Sequence, residues 1–343
     1  MRRWMILFLM LGLLLPARVE AMGTGKNKIR AIWYNVYQID LRDASAAKAK
    51  IREHFDRFEA WKIDTVFFLV KTPDGKTYFP SALAPAACPW DPLQAVIEEA
   101  HSHRMRLHPY LNVFAEEGPF LQEHPQWAET RQDGTPMQWA SPAVPEVRAR
   151  VHGLIEELLR YPIDGLQLDR IRYEEYPSSD AGFNPLSIRE YGEKTGKPPY
   201  PEDPDFIDWK CDLVSSFVRE ASSKVRARGL EFSCAVYPNR EKALRYASQD
   251  WNRWVDAGWL DAVYPMTYTE DPDLFRSYLV ENGKNKKATT RLVMGLGAYR
   301  ERMTPFMLKA QIDECLADPN VAGICFFNGY SLLREDYAGL EKN

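Results

Sequence analysis

The stretch Asp164-Gly165-Leu166-Gln167-Leu168-Asp169-Arg170-Ile171-Arg172-Tyr173 carries the residues best suited to chemistry. Read as a strand it alternates, with Gly165, Gln167 and Asp169 on one face and Leu166 and Leu168 on the other. The apolar pair should face packing helices, which sends Gln167 inward and brings Asp169 to the end of the strand. A carboxylate there, beside Arg170 and Arg172, is costly to bury for structure alone. It suits nucleophilic or general acid–base work. The alternative is an Asp held in a salt bridge to one of the arginines, and the two roles can coexist. Other carboxylates also follow strand-like runs: Asp74 in Lys71-Thr72-Pro73-Asp74-Gly75, Glu117 in Phe114-Ala115-Glu116-Glu117-Gly118, and Asp271 in Tyr268-Thr269-Glu270-Asp271. Asp271 can instead cap a helix opening at Pro272, and Asp74 can serve a turn with Gly75. Glu117 has the weakest structural excuse and ranks first as a partner for Asp169.

Several other strand ends carry polar or aromatic groups in the same alternation. Leu69 and Lys71 share a face, as do His108, Tyr110 and Asn112, then Tyr264, Met266 and Tyr268, while Asn328 and Tyr330 follow the last run. One such group means little, and His108 alone reads as an interior histidine. Groups arriving at one rim from several strands define a concave pocket. No His-Glu-x-x-His, His-x-x-Glu-His or cysteine cluster offers a metal site, and no Gly-x-Ser-x-Gly elbow suggests an esterase. We therefore expect no metal and no cofactor.

The elements that must position these residues form a regular series. Eight short runs rich in β-branched and aromatic residues read as strands: Ile29–Tyr34, Thr65–Val70, Leu107–Phe114, Gly165–Asp169, Phe232–Tyr237, Ala262–Tyr268, Leu292–Leu296 and Gly323–Phe327. Helical patterns follow at Ala44–Trp61, Pro92–Arg104, Pro145–Arg160, Asp208–Arg228, Asp250–Ala257, Pro272–Glu281 and Pro305–Ala317, with a short closing turn around Tyr330 to Leu340. Strand–helix alternation implies a parallel sheet. Eight repeats with no Gly-rich phosphate loop predict a closed (β/α)8 TIM barrel, a single domain over 28–343, with chemistry on the loops leaving the C-terminal strand ends. The loops after the third and fourth strands, Ala115–Val144 and Glu174–Ile207, are long enough to be functional. The second carries Tyr176, Phe183, Tyr191 and Tyr200 among prolines.

Composition bounds the partners. The chain has 343 residues, 45% hydrophobic and 27% charged, with a formal net charge of -4, so no basic excess attracts nucleic acid or anionic lipid. Aromatics reach 13%, and many lie in loop-like stretches where their rings suit sugar faces. Arg2 and Arg3, the apolar run Met5 to Leu15 and the small-residue step Val19-Glu20-Ala21 read as a signal peptide over 1–21. An uncleaved anchor is the alternative. Cleavage near Met22 would leave a secreted or periplasmic protein with no membrane span. Cys88, Cys211, Cys234, Cys315 and Cys325 are odd in number and lack metal-type spacing, which argues against a disulfide framework.

The run Asp164 to Tyr173 resembles the fourth-strand signature of the glycosyl-hydrolase-like family 10 proteins. Lys71-Thr72-Pro73-Asp74-Gly75 with Tyr78-Phe79-Pro80-Ser81, His108-Pro109-Tyr110-Leu111-Asn112 and Tyr264-Pro265-Met266-Thr267-Tyr268 are similar to its second-, third- and sixth-strand motifs. The resemblance spans about Arg30 to Tyr330. It implies a TIM barrel, export from a bacterial cell, and action on glycans, with cell-wall polysaccharide as a substrate class. Two departures concern the substrate subsites: Glu174 stands where the family carries Pro, and Leu69-Val70-Lys71 replaces Gln-Val-Arg, losing the planar fork of arginine.

Glycoside hydrolysis uses two carboxylic acids flanking the bond. Asp169 is the expected nucleophile or charge-stabilising group, since Arg170 or Arg172 would keep it ionised. Glu117 and then Asp271 are candidates for its partner. Expected sugar-binding residues are Trp33, Tyr34, Lys71, Asn112, Arg172, Tyr173, Tyr237, Tyr268 and Asn328. The alternative is a non-catalytic glycan-binding barrel that kept the cleft and lost a partner carboxylate.

Overall fold

The computed structural model describes residues 28–174, 180–284, 287, 289–334, 337 and 339–340. The expected leader over 1–21 and Tyr176 lie outside them. Strands β1 (Ile29–Tyr34), β2 (Thr65–Lys71), β3 (Arg106–Asn112), β6 (Gly165–Asp169), β7 (Glu231–Val236), β8 (Ala262–Pro265), β9 (Arg291–Leu296) and β10 (Gly323–Phe327) close a parallel barrel in that order, β10 pairing with β1. Strands β4 (Ala128–Thr130) and β5 (Pro136–Ala140) form a separate antiparallel hairpin.

The helices are α1 (Ala44–Ala60), α2 (Pro92–Ser102), α3 (Pro119–Glu123), α4 (Pro145–Leu158), α5 (Pro185–Thr195), α6 (Pro204–Arg226), α7 (Arg240–Ala247), α8 (Trp251–Asp256), α9 (Pro272–Lys284), α10 (Pro305–Ala317) and α11 (Gly329–Leu332). Proline opens many of them, where its missing N–H costs nothing. The side chains of Asp91, Asn184, Asp203 and Thr304 cap α2, α5, α6 and α10 by accepting from backbone N–H groups.

Several expected elements change at their ends. The third strand stops at Asn112, because the chain then leaves the barrel towards the hairpin, Ala115 bridging Trp139. The sixth stops at Pro265, beyond which only an isolated Met266–Gly295 bridge continues. The helix expected from Asp208 starts earlier, at Pro204 with its Asp203 cap. The two long loops carry structure of their own, α3 and the hairpin in one and α5 in the other.

Register fixes what fills the barrel. Trp33 lies level with Phe67 and Phe327, Phe67 with His108, Tyr110 with Gln167, and Asn112 with Asp169. The lowest layer is polar. Glu231 pairs with Arg106 at 2.9 Å and Arg291 at 2.6 Å, and Arg106 donates to Thr65 Oγ1 at 2.7 Å. His108 lies fully buried just above, its ring edge-on to Phe67. Gly165 makes room for it, since a Cβ there would stand 2.5 Å from His108 Cε1. Higher up, Trp33 Nε1 donates to Gln167 Oε1 at 2.6 Å, and Gln167 Nε2 donates to Ser233 Oγ at 3.2 Å. These bonds satisfy the indole of Trp33 and the amide of Gln167, whereas both ring nitrogens of His108 and the Tyr264 hydroxyl are buried without a hydrogen-bond partner among the described residues.

Burial holds His108 neutral, its pKa lowered to about 4. Its folded value therefore lies below the ordinary 6.5, so its contribution is complete above pH 6.5 and is lost as pH falls towards 4. His54, buried against Tyr34, is lowered to about 4 as well and acts in the same direction. Denaturant titrations across that window should show stability falling on acidification. His108→Gln should flatten part of the slope; an unchanged slope would remove His108 from the account.

Candidate active site

Strand β6 delivers Asp169 to the mouth of the barrel, where the side chain is partly exposed. Its Oδ1 accepts from Arg170 N at 2.6 Å and lies 3.7 Å from Arg172 Nη1. Arg170 has φ of 47°, a left-handed conformation that a residue with a Cβ adopts at a cost. The guanidinium of Arg172 lies over Tyr237 at 5.2 Å and Trp139 at 6.0 Å, and Trp139 Nε1 donates to Arg172 O at 2.8 Å. Hairpin strand β5, which carries Trp139, thus fixes the arginine beside Asp169.

Tyr110, level with Gln167 in the layer below Asp169, and Tyr268, beyond the end of β8, both lie near enough to feel the Asp169 charge. Burial pushes both hydroxyls well above their ordinary range, and the nearby Asp169 charge adds to it. Tyr268 stacks on Phe327 with centroids 5.4 Å apart and meets Trp33 edge-on at 6.4 Å.

The loop after β3 is held by a buried charge network. Lys71 Nζ reaches Glu116 Oε2 at 2.9 Å and donates to the carbonyls of Asn112 and Ala115. Arg150 on α4 reaches the same Glu116 oxygen at 2.8 Å and lies over Phe120 at 3.8 Å. Burial draws the Lys71 pKa down, opposed by Glu116. This anchor presents the next residue, Glu117, to solvent. Glu117 N donates to Pro73 O at 2.6 Å, drawing the loop against Asp74. Gly118 is required there, since a Cβ would stand 2.1 Å from Asp74 O. Asp74 accepts from Thr72 Oγ1 and pairs with Lys76. Glu117, Asp74, Tyr37 and Tyr78 line an open cavity of about 500 Å³. Burial and then Asp74 raise the Tyr37 hydroxyl to about 12.

The two long excursions are clamped together. The buried Glu129 of β4 accepts at Oε1 from Gly182 N at 3.0 Å and Asn184 N at 3.2 Å. Asn184 Nδ2 donates to Ala128 O at 2.7 Å, and Arg131 pairs with Asp180 at 3.0 Å.

The expected site residues therefore separate. Asp169, Arg172, Tyr237 and Tyr268 gather at the mouth, Asn112 lies level with Asp169, and Trp33 forms the layer beneath. Asn328 follows β10 across a cis Phe327–Asn328 peptide and precedes α11. Glu117 stands on the flanking cavity. Tyr34 points the other way: it is one residue out of phase with Trp33, and its hydroxyl meets His54 Nδ1 at 2.9 Å among α1 side chains. Tyr173 is buried outside the barrel with Lys210 over its ring. Lys71 is spent on Glu116. Asp271 accepts from Asp273 N and Leu274 N and so caps α9. The sequence reading missed Tyr37, Trp139 and the Glu116 anchor. Only Glu116 left a signal, as the carboxylate adjacent to the one chosen.

A closed parallel barrel with a carboxylate, arginines and aromatic rings at its C-terminal mouth is the frame of the TIM-barrel glycosidases. The chain belongs to the glycosyl hydrolase-like 10 family, whose profile matches residues 28–308. Glycosyl hydrolase DigH of Escherichia coli K12 is 24% identical over 377 aligned positions, covering 90% of this chain and 81% of DigH. Glycosyl hydrolase YngK of Bacillus subtilis is 24% identical, covering 72% of this chain and 55% of YngK. In fold, the glycoside hydrolase domain of PgaB from Bordetella bronchiseptica superposes with a TM-score of 0.73 at 15% identity, over 92% of this chain and 98% of that domain.

The charge network predicts a sharp contrast between neighbours. Glu116→Gln leaves Lys71 and Arg150 facing a neutral amide in a buried site and should cost about 3–5 kcal/mol in denaturant unfolding. Glu117→Gln, one residue on and exposed, should stay within about 0.5 kcal/mol. Equal effects at the two positions would contradict the anchor.

Proposed function

We propose that this chain is an exported glycoside hydrolase that cleaves glycosidic bonds with Asp169 and Glu117, acting on a complex polysaccharide such as that of the bacterial cell wall. The observation that carries this reading is the setting of Asp169: partly exposed at the mouth, accepting from Arg170 N, and 3.7 Å from Arg172 Nη1. A carboxylate so fixed can attack the anomeric carbon or stabilise its positive charge as the glycosidic bond breaks. Glu117, from the neighbouring loop, is assigned to protonate the leaving oxygen. Tyr268 and Tyr237 offer ring faces to the sugar, while Asn112, Arg172 and Asn328 offer donors to its hydroxyls. Bacterial and plant polysaccharides incubated with the mature protein should yield shortened products by mass spectrometry.

One observation favours a second reading, that of a non-catalytic glycan-binding barrel. Glu117 is exposed, and among the described residues no hydrogen bond or ion pair holds its carboxylate. Substitution separates the two. Asp169→Asn is nearly isosteric and should keep the melting temperature while lowering kcat by about 10² to 10⁴. A variant that turns over at the parental rate but melts early would make Asp169 a structural ion-pair partner. Wild type that binds glycan and releases no product would favour the binding barrel.

Export rests on the leader-like composition of residues 1–21. N-terminal sequencing of protein recovered outside the cytoplasm should begin near Met22, and a soluble cytoplasmic species retaining Met1 would overturn it.

A further inference from the structure

We infer that Tyr299 is a sugar-stacking platform at the outer end of the cleft, so that the substrate is a glycan chain engaged several sugars beyond the bond at Asp169. The inference rests on the glycosidase reading and adds the substrate's length and the direction in which it leaves the mouth.

The rim of the barrel is uneven. The excursions after β3 and β6 build a high wall from α3, the hairpin and α5. On the opposite side, residues 266–271 after β8 and 297–304 after β9 are short connections to α9 and α10. In the ring order of the barrel β9 lies opposite β3, whose following loop carries Glu117. A chain crossing the mouth from the Glu117 cavity therefore passes out over the loop after β9.

Tyr299 stands on that loop with 41% of its surface exposed. A lone exposed ring is ordinary, but this one is built in from several directions. Tyr299 N donates to Phe327 O at 3.2 Å. The buried Tyr337 hydroxyl bonds the carbonyls of Ala298 and Met303, both at 3.0 Å. Arg300 pairs with Glu270 at 2.7 Å, joining this loop to the one after β8. Gly297 lies so close to Tyr268 that a Cβ would stand 3.0 Å from it.

The ring itself meets Tyr268 edge-on at 5.7 Å and Phe327 edge-on at 5.4 Å. Tyr268 in turn meets Trp33, whose indole donates to Gln167, two residues before Asp169 on β6. A chain of ring contacts thus runs from Trp33 through Tyr268 and Phe327 to Tyr299 at the low rim. A ring already ordered before binding loses little entropy on contact, and its flat apolar face matches the axial C–H face of a pyranose.

The test uses binding in the Asp169→Asn background, where turnover is suppressed. The probes are β-1,4-linked N-acetylglucosamine, glucose and mannose oligomers of two to six sugars, titrated by calorimetry. For the series that binds, adding Tyr299→Ala should weaken the six-sugar oligomer about tenfold, as expected for a lost ring contact, and leave the two-sugar oligomer within about twofold. Tyr299→Phe keeps the ring and should match the parent at every length, which separates stacking from loop damage. The inference is overturned if Tyr299→Ala weakens all lengths alike, changes none, or is matched by Tyr299→Phe. If the background variant binds none of the probes and wild type cleaves none, the glycosidase reading fails and this inference fails with it.

Discussion

In a closed parallel barrel an inward side chain can only join the core or reach the mouth, and strand alternation decides which residues face that choice. Moving one residue along β1 takes the chain from Trp33, bonded to Gln167 inside, to Tyr34, bonded to His54 outside. On β6 the same rule sets Gln167 in the core and Asp169 at the rim two residues later. The interior is therefore graded, from the Arg106–Glu231–Arg291 cluster at the bottom, through the layer of Trp33, Phe67 and Tyr264, to the Asp169 carboxylate at the top.

Precision at the mouth comes from bonds made outside it. Arg172 touches Asp169 at 3.7 Å, but its position is set by Trp139 and Tyr237. Glu117 owes its place to the Lys71–Glu116–Arg150 network and to the hydrogen bond from its own N–H to Pro73. The left-handed turn at Arg170 is tolerated where the Asp169 carboxylate accepts its N–H. Such supports act through packing and buried charge outside the mouth.

Much of this was legible in the sequence. The eight strand runs carry period-2 alternation or unbroken apolar character, and proline with a capping side chain marks the helix starts. Asp169 was legible because parity and the flanking arginines point to one place. What stayed hidden depends on contacts between distant segments. Strand β4 has only three residues, too few for periodicity to register, and α7 carries charge rather than an apolar stripe. Lys71 follows the inward parity of its strand and reads as a ligand-binding cation, because its partner Glu116 is 45 residues away in the sequence, next to Glu117. Tyr173 and Tyr34 read as sugar-binding aromatics, yet ring chemistry says nothing about the face on which a ring lies.

The Glu129 clamp has a bearing on how this barrel can diversify. Because one buried carboxylate holds backbone N–H groups from the loop after β6, the hairpin and that loop are structurally a single piece. Lengthening or shortening either excursion alone strands a buried carboxyl group or two amides. Inheritance and grafting of this wall should therefore proceed in matched pairs, with both excursions exchanged together, while the short connections after β8 and β9 can drift one residue at a time.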